Sequence, residues 1–260
     1  MKKTSYLTID DSPSSTFQQK VQYLKEKNIL ALFFCIGNLL EKHPAPVIKA
    51  IQMGFPIANH SYSHPHFSAI SLEQAKEEIL RTDAIIDDLY QKARIPRKQK
   101  WFRFPYGDKG DGLYGQVFKK KGIRSWFYRP NLQRKRFIQN VLKEAGYTQP
   151  SFDSIPYEYM RSNGLFDDID WHWTFDIMEW ATFEKKPTQN LKDLEALIDR
   201  MREDAPKDAR GTIEEERRWL QTSYSEIILL HDHIETDELF RPIIDYLSQL
   251  PLEFEGFEDL

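Results

Sequence analysis

Apolar positions along the chain change period repeatedly. "SYLTI" (5–9) and "ALFFCIG" (31–37) are short runs dense in β-branched and aromatic residues, which predicts strands. Between them, "FQQKVQYLKEKNI" places apolar side chains at 17, 21, 24 and 29, close to the spacing of one helical face. "PAPVIKAIQM" predicts a helix whose prolines stand in the tolerant first turn. "SLEQAKEEILRTDAIIDDLYQKA" opens on Ser71 with Gln74 three residues on, a capping-box pattern, and carries apolar residues at 79, 80, 85, 86 and 89. Further on, "QVFKKKGIRSWFY" predicts a helix ending at Gly122 and then a strand. "RFIQNVLKEAGY" repeats the helix-then-glycine pattern, and "EIILLHD" is a nearly continuous apolar strand. Strand and helix in alternation predict an α/β fold with a parallel sheet and helices outside it. So many alternations predict closure into a distorted (β/α) barrel of about seven strands, as a single domain over 1–260. The segment 184–220 is highly charged and carries Pro187 and Pro206, so it is expected to be a surface helical stretch within that domain.

Composition narrows the function classes. A formal charge of −4 argues against a nucleic-acid partner, which needs a basic face. Basic clusters at 94–103, 117–124 and 134–136 read as solvated faces. Cys35 is the only cysteine, which excludes an intrachain disulfide and a cysteine-built zinc site. Its run, "ILALFFCI", is far short of the ~20 apolar residues that cross a bilayer, so no membrane span is expected. "MKKTSYLTIDD" has no apolar stretch of a signal peptide, so the chain as given reads as cytoplasmic. A leader removed beforehand would make it periplasmic or secreted.

In parallel α/β folds, site residues collect at the C-terminal ends of strands. Asp10 and Asp11 follow the first strand; Asn59, His60 and His64 follow "FPIA". Arg103 to Tyr106 follow "KQKWF", Asp176 follows "DWHWTF", and His231 follows "IILL". Two histidines four apart can face one ion, from a helical turn or a tight loop. Two imidazoles and a carboxylate form a divalent-metal triad with positions left open for water and substrate. A second carboxylate beside the first can stay off the metal and act as a base. Alone, the histidine pair fits a turn or a polar surface equally well. A carboxylate pair at another strand end favours one divalent ion, zinc before cobalt or nickel.

"LTIDDSPS", "NHSYSH", "RFPYG", "WTFDIMEW" and "IILLHDH" stand in the order found in the NodB-like polysaccharide deacetylases, carbohydrate esterase family 4, and the chain resembles that family from residue 6 to about 235. The resemblance implies a metal-dependent hydrolase that removes N-acetyl groups from amino-sugar units of a poly- or oligosaccharide. It implies Asp10 as general base and Asp11, His60 and His64 as metal ligands. Arg103 would orient Asp10, and the backbone N–H of Tyr106 would help hold the oxyanion. His231 would be the general acid, Asp176 would support its protonated form, and Trp180 would wall the pocket. The residue types suit amide hydrolysis, which needs an activated water, a stabilised oxyanion and a proton for the leaving amine.

Ser12 stands where the family usually has glycine, which bears on substrate shape more than on metal binding. A second reading therefore keeps fold and metal but takes a small C–N substrate, a formamide or cyclic amide. A third is a carbohydrate-binding domain without turnover. "DDIDW" (167–171) also resembles the fourth motif, with Asp170 in place of Asp176, but "DIMEW" is preferred because Trp173 and a strand end precede it. His233 is expected just past the site, and His66 on a turn or surface. Trp126 and Trp173 are further candidates to stack on a sugar. "GDGLYG" (110–115) fits a dinucleotide fingerprint, yet no acidic residue follows at the ribose distance, so a loop is expected.

Overall fold

The structure is a computed structural model and describes residues 2–112, 130–151, 154–155, 157, 160–161, 164–184, 191–202, 220 and 224–257. The expected helix and strand of 116–128, with Trp126, lie outside the described residues, as does most of 184–220.

Six strands form one sheet among the described residues: β1 (Lys3–Ser12), β2 (Ala31–Cys35), β3 (Ile57–Asn59), β4 (Phe175–Asp176), β5 (Glu226–His231) and β6 (Leu252–Phe254). Their order is β3-β2-β1-β5-β4, all pairs are parallel, and β6 pairs with the start of β1. Backbone bonds carry the path beyond β3 and lengthen the pairing of β4 with β5. Asn59 bridges to Phe102, the N–H of Trp171 donates to the carbonyl of Phe102 at 2.9 Å, and that of Thr174 donates to Ile227 at 2.9 Å. The α/β class and the parallel sheet are as expected. The expected strand at "KQKWF" is instead an extended segment holding this single bridge.

The strands alternate between two cores, because successive side chains point to opposite faces. Leu7, Ile9, Ala31, Phe33, Cys35, Ile57, Ile228 and Leu230 pack outward against helices. Tyr6, Leu32, Phe34, Ala58, Trp101, Trp171 and Ile227 form a second, inner cluster. Continuing two residues along the inner face leads from Tyr6 through Thr8 to Asp10, from Ala58 to His60, from Trp101 to Arg103 and, in steps of two, from Ile227 to His231. Each of these four segments is thus apolar at the start of its inner face and polar or ionisable at its end.

The outer helices are α1 (Phe17–Glu26), α2 (Gly37–Lys42), α3 (Pro44–Gln52), α4 (Leu72–Ala93), α5 (Leu132–Glu144), α6 (Leu194–Met201) and α7 (Asp237–Gln249), with a short turn at Ala181–Glu184. α1 buries Phe17, Val21 and Leu24, the stripe expected from their spacing. At α4 both halves of the capping box form: the Ser71 side chain accepts from the Gln74 N–H at 3.1 Å, and Gln74 Oε1 accepts from the Ser71 N–H at 2.8 Å. Ser71→Ala should therefore cost about 1 kcal/mol, read as a lower urea midpoint at unchanged slope. No helix among the described residues is long and apolar enough to cross a membrane.

Candidate metal-dependent active site

A regular strand would send Asp10 and Asp11 to opposite faces. The pairing of β1 with β2 shifts register between Ile9 and Ser12, and Asp11 adopts a left-handed backbone (φ 63°). Aspartate is among the few residues that tolerate this conformation. Both carboxylates consequently reach the same site. Asp10 is buried, and its Oδ1 accepts from Arg103 Nη1 at 2.6 Å. Arg103 is fully buried and also donates from Nη1 to Thr8 Oγ1 (3.0 Å) and from Nε to the Trp171 carbonyl (2.7 Å), with its guanidinium 4.2 Å over the Phe34 ring. Asp10 Oδ2 is left facing His60 Nε2 at 3.6 Å.

His60 and His64 sit on a tight loop, not a helical turn. Ser61 and His64 are both left-handed, at φ 67° and 58°. The Asn59 side chain accepts from the Ser61 N–H, and Ser61 Oγ accepts from the His64 N–H. Glu78 on α4 gathers the N–H groups of Tyr62 and Ser63 and the Ser63 hydroxyl. Gly37 lets α2 approach: a Cβ there would come within 2.4 Å of Thr82 Oγ1 and 2.7 Å of the Tyr62 ring. His60 Nδ1 bonds the Arg103 carbonyl at 2.8 Å, which fixes the tautomer and turns Nε2 toward the aspartates.

Asp11 Oδ1 lies 3.1 Å from His64 Nε2 and 3.5 Å from His60 Nε2. That oxygen is buried and makes no hydrogen bond. Ligand atoms each about 2.1 Å from one tetrahedral ion stand about 3.4 Å apart, so these three donors fit a shared zinc-sized ion. Burial alone would raise the Asp11 carboxyl, but the His233 bond and the nearby histidines hold it well below the usual range. Burial pushes His64 down to about 4 despite Asp11, which keeps it neutral as a ligand must be.

On the neighbouring strand His231 stands in direct register with Asp10. Its Nδ1 meets Glu179 Oε1 at 2.9 Å, and the same oxygen accepts from the His231 N–H at 2.6 Å. Burial works against the charged ring, but Glu179, with Asp11 and Asp176, pushes His231 up to about 10. The ring's hydrogen-bonded partner is Glu179, a residue the sequence reading did not name, while Asp176 favours the charged ring through space. Met178 is left-handed (φ 64°), and the resulting turn swings Glu179 back onto His231. Asp176 instead accepts from the Met178 N–H at 2.8 Å and weakly from Trp180 Nε1 at 3.4 Å. It acts on His231 only through its charge, and burial raises its own carboxyl. The half-buried Trp180 packs at the edge of the outer core.

Asp170, the alternative to Asp176, accepts from the Phe104 N–H and pairs with His172 at 3.0 Å. It braces the segment leading to Tyr106 and makes no bond with His231. Tyr106, left-handed at φ 59° in the turn Pro105–Gly107, lays its half-exposed ring against His64 (4.5 Å) and stacks on His66 (4.0 Å). Trp173 lies under Arg103, with the guanidinium 5.6 Å from its ring. His233, expected past the site, is in it: its Nε2 is 2.7 Å from Asp11 Oδ2. A cavity of about 400 Å³ opens beside these groups, lined by Asp11, Ser14, Leu39, His43, His64 and His233 among others.

Residues 1–126 match the family model described as polysaccharide deacetylase. Over 103 residues the chain is 35% identical to a peptidoglycan-N-acetylglucosamine deacetylase of Bacillus cereus, covering 39% of this chain and 36% of that one. Over 151 residues it is 29% identical to the Bacillus subtilis peptidoglycan-N-acetylmuramic acid deacetylase PdaC, covering 55% and 30%. The matched regions thus span about a third of the length of these relatives. A crystal structure of a polysaccharide deacetylase from Bacillus cereus superposes with TM-score 0.59 at 20% identity, covering 99% of this chain and 93% of the other.

Proposed function

We propose that this chain, whose residues 1–126 match the family model described as polysaccharide deacetylase, is a metal-dependent hydrolase that removes N-acetyl groups from amino-sugar units of a poly- or oligosaccharide. The observation that carries this reading is the convergence of three devices on one rim. An arginine-held carboxylate, a carboxylate–imidazole triad and a carboxylate-held imidazolium all stand at adjacent strand ends.

Asp11, His60 and His64 would hold one divalent ion, zinc first on the softness and spacing of the donors. When bound, such an ion lends Lewis acidity to an amide carbonyl and to a water molecule. Asp10 takes a proton from the attacking water, and Arg103 keeps one oxygen of that carboxylate occupied so that the other faces the site. The backbone N–H of Tyr106, whose ring packs against His64, would meet negative charge on the carbonyl oxygen. His231, with Nδ1 bound to Glu179, donates its Nε2 proton to the amine as the C–N bond breaks, releasing acetate and the free amino sugar.

Ser12, buried at the end of β1 beside the two aspartates, also motivates a second reading with a small formamide or cyclic amide as substrate. Acetate release from an acetylated chitooligosaccharide, set beside turnover of free small amides, separates the two. We expect turnover of the oligosaccharide, its loss on dialysis against a chelator, and its return with zinc. Unchanged turnover after chelation would overturn the mechanism. Sugar binding with no turnover of either substrate would make this a binding domain.

A further inference from the structure

We propose that His233 is a positioning residue that fixes Asp11 as a one-oxygen ligand. This rests on the metal-dependent reading above. Asp11 divides its two oxygens. Oδ1 faces the imidazoles of His60 and His64 without a hydrogen bond, while Oδ2 accepts from His233 Nε2 at 2.7 Å, the length of a charge-assisted bond. Of the two groups of donors close enough to share one ion among the described residues, the one that contains Asp11 is completed by His60 and His64, and His233 stands outside it. Its nitrogen is therefore placed to hold the ligand and not the ion.

The ring is itself held in place. It stacks on His231 at 5.2 Å with planes 24° apart, and it meets the edge of Phe183 at 5.4 Å. The His233 carbonyl accepts from Lys20 Nζ at 3.3 Å and Thr236 Oγ1 at 3.5 Å. Its neighbour Asp232 is buried and clamped by Lys20 Nζ and by both the N–H and the hydroxyl of Ser14. With Oδ2 engaged, the carboxylate cannot rotate or chelate through both oxygens without breaking this bond. Coordination positions then stay open for water and substrate. Partners that orient ligands in this way typically contribute 10–100-fold in metal affinity.

The experiment measures the zinc dissociation constant of the full chain by competition with a chromophoric chelator, and the visible spectrum of the cobalt-loaded form. Wild type, His233→Ala and His233→Gln are compared, with melting of the metal-free proteins as the folding control. Glutamine keeps an N–H donor near the position of Nε2. The expected result is a 10–100-fold weaker zinc affinity and an altered cobalt spectrum for His233→Ala, with His233→Gln within about fivefold of wild type. Affinity and spectrum unchanged in His233→Ala would overturn the proposal while leaving the metal site standing. So would equal losses in the two variants, which would assign His233 to packing or direct ligation. A wild-type chain that takes up no zinc or cobalt would instead overturn the metal-dependent reading, and this proposal with it.

Discussion

Asp10→Asn is expected to lower kcat/KM by about 10³-fold or more while the protein still binds one divalent ion. The substitution removes the basic oxygen but keeps a carbonyl that can accept from Arg103, so the buried guanidinium retains a partner. Arg103 is also bonded to Thr8 and Trp171, and these contacts do not depend on the Asp10 charge. Metal content by mass spectrometry and melting of the variant check that only chemistry is lost. Activity within tenfold of wild type would assign the base to another group.

The second large effect concerns the proton donor. His231 is held protonated up to about 10, chiefly by Glu179 acting against burial. A raised imidazole is charged below its pKa and loses the proton as pH rises through it. An enzyme that needs His231 charged therefore keeps full activity through neutrality and loses it on the alkaline side, near 10. Glu179→Gln removes both the charge and the bond that favour the imidazolium, so the alkaline limb of kcat/KM should move acidward by a unit or more. Each unit of that shift is a factor of about ten in rate above the new midpoint. Asp176→Asn, which removes only a through-space charge, should move the limb less. An alkaline limb unmoved by Glu179→Gln would remove His231 from the donor role.

These two carboxylates show what the chain's text reveals and what it hides. Asp10, His60 and His231 were legible because they continue the inner face of strands, where position along the chain gives direction in space, and Asp11 and Arg103 because they stand in motifs beside them. Glu179 was not. It follows Met178, whose left-handed backbone reverses the chain, and a count of positions from the strand end selects Asp176 instead. His233 was hidden in the same way, lying past the end of β5, where alternation no longer says which way a side chain points. The structure has seven non-glycine residues with positive φ among those described, and five of them, Asp11, Ser61, His64, Tyr106 and Met178, carry or adjoin the site. Such conformations cost free energy and persist only where their surroundings hold them. The cue in the sequence was the carboxylate immediately before Trp180, read as part of a motif whose other acid took precedence.

The clamp of Asp232 by Lys20 and Ser14 has a consequence for transplanting parts of this site. One buried carboxylate joins the loop after β1 to the tail of β5, and the Asp232 N–H also donates to the Asp10 carbonyl. Residues 12–16 and 231–237 are therefore a single replaceable unit with Lys20 as its pin. A chimera that imports a foreign loop at 12–16 alone would strip Asp232 of its two Ser14 bonds and leave it on Lys20 alone, whereas exchanging both segments together would carry the clamp across intact.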